Sequence, residues 1–163
     1  MKTMKYAKVL FLISVVLFSC SPQNQVAGNY NFKTECLGIG LDGSQTVKAW
    51  GNGRNRWDAI EQAKKNAVNE VLFKGIYEGK QDCEKRPILT EVNARQKNEA
   101  YFNKFFAEKG EYTKYISLND ERIDSKLSRD RLSARKSVTH GVVLRILRSE
   151  LRQKMIEEGI IKN

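Results

Sequence analysis

The hydrophobic pattern changes period several times along the chain. Residues 9 to 18, VLFLISVVLF, are apolar at every position but Ser14. From Asn31 to Trp50 the pattern turns extended, with NFKTECLGIGL and QTVKAW flanking Asp42-Gly43-Ser44. Asp-Gly between strand-like runs signals a β-hairpin, because glycine takes positive φ without a steric cost. Gly38 and Gly40 mark places where the first strand bulges or is closely approached. After Gly51-Asn52-Gly53, Ile60, Ala63, Ala67, Val68, Val71 and Leu72 recur at helical spacing to about residue 74. Asp58 and Glu61 in the early turns and Lys74-Gly75 at the end suit that helix's dipole and its stop. The alanines at the centre of its apolar stripe let the axis lie close on a sheet.

Residues 75 to 92 read as loop, with Gly75, Gly79 and Pro87, and Ile88 to Val92 as either a short strand or a helix lead-in. A second helix is predicted from Ala94 to Lys109, carrying Tyr101, Phe102, Phe105 and Phe106 into the core and ended by Gly110. EYTKYISL, 111 to 118, reads as a strand. Residues 120 to 136 hold six basic and four acidic side chains, the composition of a solvated face or long loop. In SVTHGVVLRIL, 137 to 147, Val138, Val142, Leu144 and Ile146 share one face of a strand. SELRQKMIEEGII then reads as a closing helix, with Ser149 as N-cap, Glu150 in the first turn, and Leu151, Met155 and Ile156 on the apolar side. The sum is one α+β domain over residues 31 to 163, an antiparallel sheet of about three to four strands with two or three helices packed on it.

The apolar run near the amino terminus follows Lys2, Lys5 and Lys8. It is too short for a membrane span, which takes roughly 20 apolar residues, and fits a secretory signal core of about 7 to 15. It ends in Leu17-Phe18-Ser19-Cys20, which resembles the lipobox of bacterial lipoproteins. The resemblance implies a signal peptide at 1–19, acylation of Cys20 as residue one of the mature chain, and a lipidated tether at 20–30. Two or three acyl chains would make the membrane a permanent partner. Phe18 departs from the small or β-branched residue usual at its position, and a plain signal peptide or an uncleaved anchor is the alternative. Ser21 is not the acidic residue that retains many lipoproteins at the inner membrane, so the resemblance points to the outer membrane.

An exported chain changes how charge and cysteine are read. Lys and Arg number 29 against 19 Asp and Glu, giving a net charge of +10, or +7 without the three signal lysines. Such a balance in the cytosol would suggest nucleic acid, but an envelope protein meets little of it. The natural anions there are lipid head groups, envelope glycan and acidic proteins, and solubility alone is the plainer reading. With Cys20 assigned to the anchor, Cys36 and Cys83 remain as a disulfide or as two buried thiols. Both readings are open, since sequence does not place the two Cα atoms within reach.

Catalytic patterns are missing from the sequence. His140 is the sole histidine, there is no G-x-S-x-G elbow, and the carboxylates lack the spacing of a calcium loop. No metal, cofactor or enzyme activity is expected, with a cell-wall hydrolase held as a minor reading because paired carboxylates meet only in space. The one stretch with a binding mechanism is KAWGNGRNRW, 48 to 57. Lys48, Trp50, Arg54 and Arg56 are the candidate anion or partner residues, since a helix N-terminus and arginines hold anions and tryptophan stacks on sugar. Arg56 occupies the place of the third glycine of a dinucleotide fingerprint. The competing reading is a tight turn whose tryptophans join the core.

VKAWGNGRNRWDAIEQAKKNAVNEVL (47 to 72) and VVLRILRSELRQKMIEEGII (142 to 161) resemble a superfamily of small outer-membrane lipoproteins that includes the amino-terminal domain of flagellar assembly protein T. Gly51 and Gly53 match its strand-to-helix turn, and Ala59, Ala63 and Ala67 its helix. The chain departs from it in residues 120 to 136 and around Cys83. The resemblance implies an α+β structural or docking component of the envelope whose partner is another envelope protein. Binding of anionic glycan or glycolipid through the basic turn is the alternative.

Overall fold

The computed structural model describes residues 33–117, 131–134 and 137–162, with the backbone alone for 131–134. The signal peptide, Cys20, the tether and residues 118–130 lie outside the described residues. The class is α+β, as expected. The strands are β1 Glu35–Ile39, β2 Gln45–Gly53, β3 Glu78–Gly79, β4 Ile116–Ser117, β5 Arg131–Ala134 and β6 Ser137–Ile146. They form one sheet in the order β3-β1-β2-β6-β4, with β5 also paired to β6. The helices are α1 Arg56–Asn69, which continues as a π-helical turn through Glu70–Lys74, then α2 Ala94–Lys97, α3 Glu99–Phe105 and α4 Arg148–Glu157.

The predicted hairpin forms as β1 and β2, antiparallel, with an irregularity between Cys36 and Gly38. Its turn closes on Asp42, which accepts the Ser44 amide at 3.0 Å, while Gly43 takes φ +75°. α1 starts at Asn55, whose side chain accepts the Asp58 amide at 3.0 Å. Its alanine stripe, Ala59, Ala63 and Ala67, is fully buried against β2 and β6.

Five expectations need correction. The sheet is mixed and larger than predicted, because β3 runs parallel to β1, pairing Glu78 with Glu35 and Gly79 with Cys36. The helix expected over 94 to 109 breaks at Asn98, which has φ −118°, and ends at Phe105. Residues 111 to 115 are a 3₁₀ turn and only Ile116–Ser117 is strand. Tyr112 and Tyr115 both turn inward, and a three-residue spacing suits a 3₁₀ turn, not a pleat. Part of the charged stretch is ordered backbone, since β5 pairs antiparallel with β6 from Arg131 opposite His140 to Ala134 opposite Ser137. Ser149 does not cap α4; the N-cap position is Leu147, and the Ser149 hydroxyl donates to the Asp42 carbonyl at 3.4 Å.

Cys36 and Cys83 are joined in a disulfide with Cα atoms 6.3 Å apart, tying β1 to the loop after β3. The aromatics of α3 pack edge to face, with Phe73 and Phe102 centroids 4.9 Å apart and those of Phe105 and Phe106 5.0 Å apart. Tyr112 lies beneath them and donates its hydroxyl to the Glu61 carboxylate. Burial pushes the Tyr101 phenol up to about 12 and raises Tyr112 and Tyr115, with Glu61 adding to the effect at Tyr112. A phenol raised above its unfolded value of about 10 contributes stability that is complete below that pH and is lost as pH rises. Unfolding free energy is therefore expected to stay flat on this account from neutral pH to about 10 and then fall, with Tyr101, Tyr112 and Tyr115 ionising as the chain unfolds. Ionisation of Tyr101, Tyr112 and Tyr115 themselves at about pH 10 in a fully folded chain, followed residue by residue by NMR, would contradict this packing.

Candidate functional site

Residues alternate across β2. Val47, Ala49 and Gly51 face α1, whereas Thr46, Lys48, Trp50 and Asn52 face the opposite side of the sheet. The contact with α1 is backbone to backbone: a Cβ on Gly51 would lie 2.2 Å from the Ala59 carbonyl oxygen and one on Gly53 2.4 Å from the Ala59 nitrogen. Both glycines of the turn thus serve the approach of strand and helix.

Lys48 and Trp50 form a stacked pair on the far face. The Lys48 ammonium sits 4.7 Å from the Trp50 ring centroid, and the lysine is buried. Trp50 lies over Gly141 of β6, where a Cβ would come within 3.1 Å of its ring. Arg54 and Arg56 are elsewhere, exposed at the start of α1. The Arg54 Nε is 3.5 Å from an Asp58 carboxylate oxygen. The four candidate residues therefore divide into a sheet-face pair and an exposed pair at the helix start.

The same geometry speaks to each reading of the turn. The α1 N-terminus is answered from within the chain by the Asn55 cap and the first-turn Asp58, whose negative charge already complements the dipole. An incoming anion would compete with both. The tryptophans do not both join the core, however. Trp57 is 74% exposed, because it lies two positions from Ala59 and so on nearly the opposite side of the helix. Proximity in sequence suggested one basic turn; strand alternation and helical rotation separate its side chains.

His140 is buried in β6 opposite Gly51. Among the described residues no cluster of His, Cys, Asp or Glu has the makings of a metal site, and no helix is long and apolar enough to cross a membrane. A cleft of about 400 Å³ opens between α1 and the α2–α3 segment, a feature that the sequence readings missed. Half of it was legible, since Gln62, Lys65, Asn66 and Asn69 fall on one helical stripe, but nothing in the pattern brings Arg95 and Asn103 opposite them. Set against family models, curated proteins and solved structures, the chain matches none.

Proposed function

We propose that the chain is an envelope lipoprotein, anchored at the outer membrane through Cys20, whose α+β domain docks onto another envelope protein. It works without catalysis, as a structural part of an assembly. The signal-like amino terminus supports the address, and the resemblance of residues 47 to 72 and 142 to 161 to outer-membrane lipoproteins supports the role.

The observation that carries the docking reading is Trp57, 74% exposed at the start of α1, with exposed Arg54 and Arg56 just before it in the chain. Tryptophan and arginine are the residues most enriched at interface hot spots, where one desolvated ring anchors the contact. Hydration of so large an apolar surface is unfavourable, and covering it would favour association. The glycan reading of this turn is weaker, because Asn55 and Asp58 already occupy the helix N-terminus.

A photo-crosslinking residue at position 56, used in living cells, tests this directly. One defined protein adduct is expected, reduced several-fold by Trp57→Ala in the same chain. A glycan or lipid adduct in place of protein would overturn the docking reading.

A further inference from the structure

The cleft beside α1 is about 400 Å³, within the roughly 300–1,000 Å³ of small-molecule sites. Gln62, Lys65, Asn66 and Asn69 make one wall, Arg95 and Asn103 the other, and the Phe102 and Phe106 rings lie at its base. Among the described residues no carboxylate lines it and neither Lys65 nor Arg95 is in an ion pair. Glu61, on the adjoining part of α1, gives its oxygens to Lys64 and Tyr112 instead. Two positive charges thus meet in a concave surface that, among the described residues, no carboxylate lines, with Glu61 acting on Lys65 from outside the cleft.

Arg95 is also held in place. Its Nη1 donates to the Asn69 side-chain oxygen at 2.9 Å, and its guanidinium lies 5.8 Å from the Phe73 centroid and 5.6 Å from that of Phe106. A guanidinium fixed by two rings and an amide has lost rotamer freedom before any ligand arrives, which lowers the cost of binding. Its remaining N–H groups form a planar fork that matches the two oxygens of a carboxylate. Lys65, with its ammonium 5.6 Å from the Tyr112 centroid, supplies the second charge.

The amides give the rest of the selectivity. Asn66 is engaged, donating to the Trp50 carbonyl and accepting from Gln62. Asn69 keeps its NH₂, Gln62 its oxygen and Asn103 its whole amide free of hydrogen bonds among the described residues. Neighbouring donors and acceptors of this kind suit the hydroxyls of a sugar. A simple aliphatic acid would cover them without pairing them, leaving polar groups desolvated and unbonded.

We infer that this cleft binds an acidic saccharide, its carboxylate on Arg95 and Lys65 and its hydroxyls on Asn69, Asn103 and Gln62. The site shares no residue with the exposed end of α1, so it stands or falls separately from docking there.

Calorimetric titration of the full chain in detergent, at one fixed ionic strength, provides the test with three probes: digalacturonate, neutral galactobiose and succinate. Digalacturonate is expected to bind at least about tenfold more tightly than either of the others. Arg95→Lys keeps the charge but loses the fork and its stacking, and is expected to weaken digalacturonate at least about tenfold while melting near the parent temperature. Arg152→Ala, which removes an exposed charge on α4, is expected to change nothing. Absence of digalacturonate binding would overturn the inference, and so would galactobiose or succinate binding as tightly. Equal weakening by Arg152→Ala would mean general electrostatic attraction and would also overturn it.

Discussion

Gly51→Ala is expected to destabilise the chain by at least about 3 kcal/mol, more than an ordinary single substitution. The added Cβ would fall 2.2 Å from the Ala59 oxygen, 2.3 Å from the Ala63 nitrogen and 2.8 Å from the Gln62 carbonyl carbon. All three are helix backbone, so no side chain can rotate out of the way. Relief would require α1 to lift off β2, opening contacts made by Ala59, Ala63 and Ala67, each now fully buried. Gly159→Ala is the natural control. It takes φ +68° with nothing within 4 Å of the added atom, so only left-handed backbone strain of about 1–2 kcal/mol applies. Urea unfolding of both variants with unchanged slopes separates the two costs. A Gly51→Ala chain within about 1 kcal/mol of the parent would refute the close approach of helix and strand.

Gly51 reads in the sequence as part of a turn, whereas β2 runs on to Gly53, but the small alanine surface that lets the helix lie close on a sheet was legible. So were the hairpin around Asp42-Gly43 and the long β6, where length and composition agree. The failures are of another kind. β3 is two residues long and therefore has no period to read; the disulfide and the Lys80 amide, bonded to the Cys36 carbonyl at 2.9 Å, hold it in place. The break at Asn98 leaves no mark on the aromatic pattern, since Tyr101, Phe102, Phe105 and Phe106 all follow it. β5 lies in a charge-rich stretch, and what defines it is its backbone pairing to β6, which composition does not show. At the candidate site, parity would have placed Lys48 and Trp50 together on the sheet face. The position of Arg95 depends on where the chain returns after the long loop, which no local pattern encodes.

Removing the Cys36–Cys83 bridge by replacing both residues with alanine is expected to lower unfolding free energy by about 4 kcal/mol, the chain-entropy value for a loop of this length. The cysteines are 47 residues apart, and the segment between them contains β2, α1 and β3. Without the bridge the loop after β3 keeps only scattered ties, among them Gln45 Nε2 to the Glu84 carbonyl and Arg148 Nη2 to the Arg86 carbonyl. Hydrogen exchange should therefore accelerate first at the Lys80 amide, while amides in α1 lose only what global stability loses. Both sulfurs belong to buried residues, so a reductant is expected to act slowly on the native chain and faster as denaturant opens it. A double variant within about 1 kcal/mol of the parent, with Lys80 still protected, would show that the bridge is dispensable. The magnitude matters beyond stability. Domains commonly have only about 5–15 kcal/mol in total, so a loss of about 4 in a reducing compartment would leave little margin. A fold that depends on this bridge is suited to an oxidising compartment, where disulfides persist. That dependence gives the proposed export of the chain a physical motive independent of its amino-terminal signal.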